Sequence, residues 1–156
     1  MTVTETESSS FRDPSGFVFY HEKICYRQIN PAYKETYNYL IDSGLYKKLA
    51  NEELLIPHET KDDSHLQSLN NFLTIQPKSI PFVSYPYEWC FTQLKHAAQA
   101  TLAIMKHALN HGMILKDANA YNIQFYKGKP ILIDTLSFEK YQGGKPWMGY
   151  KQFCEN

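Results

Sequence analysis

The chain has 156 residues with 16 Lys+Arg against 16 Asp+Glu, so no global field favours nucleic acid or an anionic membrane as partner. An apolar fraction of 43% and an aromatic fraction of 15%, with 12 tyrosines, indicate one globular domain long enough for a real core. Cys25, Cys90 and Cys154 make no C-x-x-C pair, which argues against structural zinc or a disulfide framework, and no apolar run suits a signal peptide or approaches the ~20 residues of a membrane span. A cytoplasmic protein is the simplest reading.

In chain order, residues 1–12 (MTVTETESSSFR) are polar and Ser/Thr-rich and read as a disordered tail. Phe17 to His21 and Ile24 to Ile29 read as a hairpin around Glu22-Lys23. Asn30 is expected to cap a helix with Pro31 at its first position, and apolar or aromatic residues at 33, 37, 40 and 41 recur at helical spacing. Ser43-Gly44 is a stop before a second helix near 45–53. Residues 54–90 read as extended pieces (LLIPHE, FLTI, FVSYPY) broken by prolines, with a polar loop at 59–71. From Phe91 the residues Leu94, Ala98, Thr101/Leu102, Met105 and Leu109 suggest the apolar face of a long helix that closes near Gly112. His107 and His111 share a face of it, but no H-E-x-x-H pattern makes them a zinc site. Residues 138–147 read as an irregular loop, followed by the beginning of a helix.

The chemistry is concentrated in Asp117-Ala-Asn-Ala-Tyr-Asn122 and Ile131-Leu-Ile-Asp134. Residues 122–126 (NIQFY) and 130–134 (PILID) read as two short strands joined by a turn at Lys127-Gly128-Lys129. A hairpin symmetric about Gly128 would set Asn122 opposite Asp134, at the ~5 Å separation that lets a carbonyl oxygen and a carboxylate share a hard cation. Asp117 lies on the loop leading in. The set suits a phosphoryl-transfer site, although Asx residues in loops also commonly bond their own backbone.

D-x-x-x-x-N, a strand pair and a hydrophobic run ending in Asp resemble the catalytic loop and metal-binding Asp of the protein-kinase-like fold, including its small-molecule phosphotransferase branch. The resemblance implies that Asp117 orients or deprotonates a substrate hydroxyl while Asn122 and Asp134 hold Mg²⁺. Leu115 replaces the usual His, and Thr135 with no following Gly replaces the usual residues after the metal Asp. The implied fold class is α+β and protein-kinase-like, a small lobe (13–87) plus the start of a large lobe (88–156), truncated or minimal. Pro86-Tyr87-Glu88-Trp89 would be the hinge. Arg27, Glu88 and Lys116 are the candidates for contacting ATP, with Glu35, Glu52 or Glu53 as possible anchors for Arg27. No Gly-rich phosphate loop precedes Arg27.

A second resemblance runs through FRDPSGFVFY, YRQINPAYKETYNYLIDSGLY, IPFVSYPYEWCFTQLKHAA, KDANAYNIQF and IDTLSFEKYQGGKPWMGYKQFCE. These stretches resemble the N-terminal part of larger bacterial proteins described as S-adenosylmethionine-dependent methyltransferases, some nodulation-related. It implies a methyltransferase domain supplied in cis or trans, with S-adenosylmethionine bound outside these residues; none of the glycines makes a Rossmann-type turn. Three functions follow from these readings. The favoured one is a kinase-like accessory module that binds a nucleotide, sugar or partner without transferring phosphate. The others are a Mg²⁺/ATP-dependent small-molecule phosphotransferase with Asp117 as base, and a structural or interaction remnant.

Overall fold

The computed structural model describes residues 5–6, 13–61 and 71–155. The expected tail at 1–12 therefore lies largely outside the described residues, as does most of the polar loop expected at 59–71. The chain divides into two compact units, one of residues up to 37 with 57–79, the other of residues 38–56 with 80–156.

The first unit is an antiparallel sheet. Strands β1 (Glu5–Thr6), β2 (Gly16–His21), β3 (Ile24–Ile29), β4 (His58–Lys61) and β5 (Leu73–Pro77) lie in the order β1-β2-β3-β5-β4. The β2–β3 hairpin closes with His21 opposite Ile24, leaving Glu22 (φ 51) and Lys23 (φ 66) as a two-residue turn in the left-handed region that matches strand twist. Phe19 and Tyr26 stack across the pair at 5.6 Å, and Ile29 and Ile75 are fully buried. Asn30 does not cap the following helix. Its carbonyl accepts from Gln28 Nε2 (2.9 Å) and its amide donates to the Pro14 carbonyl (3.1 Å), so the side chain ties the sheet together. Pro31–Tyr33 form a 3-10 turn, and the Tyr37 hydroxyl meets His58 Nε2 at 2.9 Å. Burial pushes the pKa of that imidazole down to about 4.

Helix α1 (Lys34–Asp42) carries the chain into the second unit, where Gly44 (φ 82) permits the bend into α2 (Leu45–Asn51). The long helix α3 (Phe91–Asn110) packs in a core with Leu40, Leu45, Leu49, Leu55, Met113 and Phe138. Its buried face is Ala97, Ala100, Thr101, Ile104, Met105 and Ala108, whereas Leu94, Leu102 and Leu109 stay exposed. Thr101 and Met105 of the expected face are buried, but the rest of the stripe is turned toward Ala97, Ala100, Ile104 and Ala108, because small alanines let neighbouring backbone approach closely. Strand β6 (Met113–Leu115) pairs with β9 (Phe138–Lys140), so part of the expected irregular loop is a strand. Strands β7 (Ile123–Tyr126) and β8 (Lys129–Leu132) form the hairpin between them, and helix α4 (Gly149–Cys154) follows. Residues 54–56 run beside β8, with Ile56 N–H donating to the Leu132 carbonyl (2.8 Å) and Leu132 N–H to the Leu54 carbonyl (2.9 Å). Residues 82–85 form no strand.

Candidate functional site

The β7–β8 turn contains two residues, not three: Tyr126 faces Lys129, with Lys127 (φ 51) and Gly128 (φ 76) between them. This sets the register one residue away from a hairpin symmetric about Gly128. Asn122 consequently lies across from Ile133, whose N–H donates to the Asn122 carbonyl at 2.8 Å, and not across from Asp134. The two side chains are joined instead through a residue that the sequence reading missed.

That residue is Ser137, 0% exposed. Its hydroxyl donates to Asp134 Oδ2 at 2.7 Å and accepts from Asn122 Nδ2 at 3.5 Å. Its carbonyl accepts from the N–H groups of Lys116 (2.8 Å) and Asp117 (3.4 Å). One buried serine therefore connects all three members of the Asp/Asn/Asp set, its side chain holding two and its backbone the third. The other carboxylate oxygen of Asp134, Oδ1, accepts from Leu136 N–H at 2.8 Å. These short bonds fix the carboxylate in place. With Nδ2 turned to Ser137, the Asn122 amide oxygen receives no hydrogen bond among the described residues. A carboxylate and an amide oxygen are donors that Mg²⁺ accepts when water and substrate phosphates complete its shell. No cluster of three His, Cys, Asp or Glu forms among the described residues, so a cation here would rest on this smaller pair.

The loop before Asn122 is built from consecutive Asx turns. Asp117 Oδ1 accepts from Asn119 N–H (3.1 Å), and Asn119 Oδ1 accepts from Tyr121 N–H (2.9 Å) at the start of the 3-10 turn Ala120–Asn122. Asp117 thus does use one oxygen on its own backbone, while Oδ2 receives no hydrogen bond among the described residues. The C-terminal segment braces this loop through three hydrogen bonds. Gln152 on α4 accepts from Ala118 N–H and donates to the Lys116 carbonyl, both at 3.0 Å, and Trp147 Nε1 donates to the Leu115 carbonyl at 2.8 Å. Gly149 makes room for the indole, since a Cβ there would fall 2.1 Å from Trp147 Cζ2. These partners stand 32 to 36 residues from the residues they bond, and no local pattern announces them.

The remaining candidates are placed as follows. Lys116 is in the same loop, its backbone held by Ser137 and Gln152. Glu88 turns its carboxylate to Tyr85 N–H (2.7 Å) and caps the 3-10 turn Pro86–Glu88. Arg27 belongs to the first unit, where its side chain is largely buried and lies 3.8 Å from the Asp13 carboxylate. Of the anchors proposed for it, Glu52 meets Lys48 (2.7 Å) and His107 (2.9 Å), and Glu53 meets Lys129 (2.7 Å). His107 thus serves as a side-chain partner on α3, and His111 Nδ1 lies 2.7 Å from the His107 carbonyl.

No protein-family model matches the chain. Over 150 residues it is 35% identical to the nodulation protein NoeA of Rhizobium meliloti (strain 1021), covering 95% of this chain and 31% of that protein. The chain therefore spans under a third of the length of this curated relative. Among solved structures it is similar to vaccinia related kinase 3, with a TM-score of 0.53 at 12% identity over 90% of this chain and 49% of that one. No helix among the described residues is long and apolar enough to cross a membrane. The structural likeness shows that the chain has a mixed α+β, protein-kinase-like fold.

Proposed function

We propose that the chain is a kinase-like, ligand-binding module of a NoeA-like protein, and that its ligand is a magnesium nucleotide held at Asp134 and Asn122. The observation that carries this reading is the Ser137 network, which presents a pinned carboxylate and an uncommitted amide oxygen beside the Asp117 loop. A bound Mg²⁺ would neutralise and orient phosphate oxygens. The chain's own contribution is to aim the Asp134 carboxylate through Ser137 and Leu136 and to hold the Asn122 backbone through Ile133, with Lys116 as the cation next to the site in sequence. ATP with Mg²⁺ should raise the thermal midpoint, because a ligand that binds only the folded state stabilises it by about 2.7 kcal/mol at 100 times its dissociation constant. Asp134→Ala and Asn122→Ala should abolish the shift; an equal shift in parent and both variants would refute the assignment.

Phosphoryl transfer to a small hydroxyl compound is the second reading, favoured by the uncommitted Oδ2 of Asp117, which is suited to accept a hydroxyl proton. Methyl transfer, expected from the wider resemblance, is assigned to a domain outside these residues. The chain alone is expected to turn over no labelled S-adenosylmethionine, and measurable turnover would overturn that assignment.

A further inference from the structure

Two peptide planes flank the Cα of Asp117, and one side chain reaches both. Gln152 Nε2 donates to the Lys116 carbonyl, in the plane before Asp117, and Gln152 Oε1 accepts from Ala118 N–H, in the plane after it, each at 3.0 Å. Because peptide groups are planar, a residue has only two soft dihedrals, and fixing the planes on either side of its Cα fixes both. The direction of the Asp117 Cα–Cβ bond follows from them. Ser137 reaches only the first plane, through the 3.4 Å bond from Asp117 N–H to its carbonyl. Among the described residues, the plane made by the Asp117 carbonyl and Ala118 N–H has no hydrogen bond other than that to Gln152.

The aim of the carboxylate depends on this clasp. Asp117 Oδ1 accepts from Asn119 N–H across the second plane at 3.1 Å, a turn that closes only at a suitable ψ of Asp117, and Oδ2 is left for a ligand. A neutral amide is suited to the position because it donates and accepts at once. The clasp is carried by a helix that does not stand on its own: α4 has 6 residues, well below the ~12–15 at which an isolated helix becomes marginal in water. It is attached through the Trp147 bond to the Leu115 carbonyl and the packing of Trp147 and Phe153 against the core. Residues 141–146, which join it to β9, are all exposed. Helix α4 is thus a docked strap, and Gln152 is its contact with the planes around Asp117.

We infer that Gln152 is a positioning residue for Asp117, and that docking of α4 thereby regulates the aim of the Asp117 carboxylate. The inference rests on the phosphoryl-transfer reading for what Asp117 does, and on these hydrogen bonds alone for how it is held.

The test is amide hydrogen exchange on the ¹⁵N-labelled chain, without nucleotide or metal, in the parent, Gln152→Met, Gln152→Glu and Asp117→Ala. Asp117→Ala removes the acceptor of Asn119 N–H and sets the rate for a lost turn. Met keeps the length of the side chain and removes both bonds, so Asn119 should exchange about fivefold faster or more and approach that rate. The amides of Ile133 and Leu136, which bond the Asn122 carbonyl and Asp134 Oδ1, should stay within about twofold of the parent. Glu keeps only the acceptor for Ala118 N–H, so Asn119 should exchange at a rate between those of the parent and Gln152→Met. An unchanged Asn119 rate in Gln152→Met would overturn the inference. Equal acceleration at Asn119, Ile133 and Leu136 in both Gln152 variants would also overturn it, by reducing Gln152 to a general support of the fold. Failure of the nucleotide reading would show separately, as a parent chain with no Mg²⁺-ATP thermal shift and the predicted exchange pattern intact.

Discussion

Replacing Ser137 by alanine deletes one oxygen from a fully buried position while leaving the bonds from Lys116 and Asp117 to its carbonyl intact. The 2.7 Å bond to Asp134 Oδ2 is short and charge-assisted, a class worth roughly 1.5–3 kcal/mol. The 3.5 Å contact from Asn122 is at the limit of hydrogen bonding and adds little. No methyl group is removed, so the cavity term is small. The expected loss is about 2 kcal/mol, or roughly 4–8 °C in thermal midpoint for a chain of this size. Urea denaturation should show the midpoint falling with an unchanged slope, which marks lost stability rather than altered compactness. Binding of Mg²⁺-ATP should weaken alongside, because Asp134 loses a donor that aims it. A Ser137→Ala variant within about 0.5 kcal/mol of the parent, binding the nucleotide equally well, would refute the claim that this serine organises the site.

Gly149→Ala should displace the Trp147 ring, break its bond to the Leu115 carbonyl and cost about 1–3 kcal/mol, read as a red shift in tryptophan emission; an unchanged spectrum would contradict it. His58 is held neutral in the folded state with a pKa of about 4, against ~6.5 when unfolded. The stability this contributes is complete above pH ~6.5 and is lost as pH falls toward 4, by up to about 3 kcal/mol. His58→Gln should flatten that part of the pH profile, and an identical slope in the variant would count against the assignment. Glu22 and Lys23 occupy left-handed conformations that side chains other than Gly and Asn resist, so the double variant E22N/K23G should gain about 1 kcal/mol in denaturation experiments. A loss of stability there would show that the native turn side chains matter more than backbone strain.

Where local chemistry decides, the sequence was readable. The turn at Glu22-Lys23, the stop at Gly44 and the strand pair around Lys127-Gly128 all depend on neighbouring residues, and all formed. The register of the second hairpin did not follow, because two- and three-residue turns around one glycine read alike and differ by one residue in pairing. The face of α3 is legible at Thr101 and Met105 but not at Leu94, Leu102 and Leu109, because alanines, not leucines, permit the close packing there. In the candidate site, Asp117, Asn122 and Asp134 stood out by spacing alone. Ser137 carries only one local cue, a hydroxyl three residues after a carboxylate. Gln152 and Trp147 offered none, because their bonds to the loop exist only after the chain has folded back on itself.

The most direct test of the nucleotide site replaces Mg²⁺ with paramagnetic Mn²⁺ and follows amide signals of the labelled chain in the presence of ATP. Asn122, Leu136 and Ser137 should broaden first, only when nucleotide is present, and Asp134→Asn with Asn122→Ala should remove the effect. Broadening centred elsewhere in the chain, or unchanged in that double variant, would contradict the assignment of Asp134 and Asn122 as the metal-bearing pair.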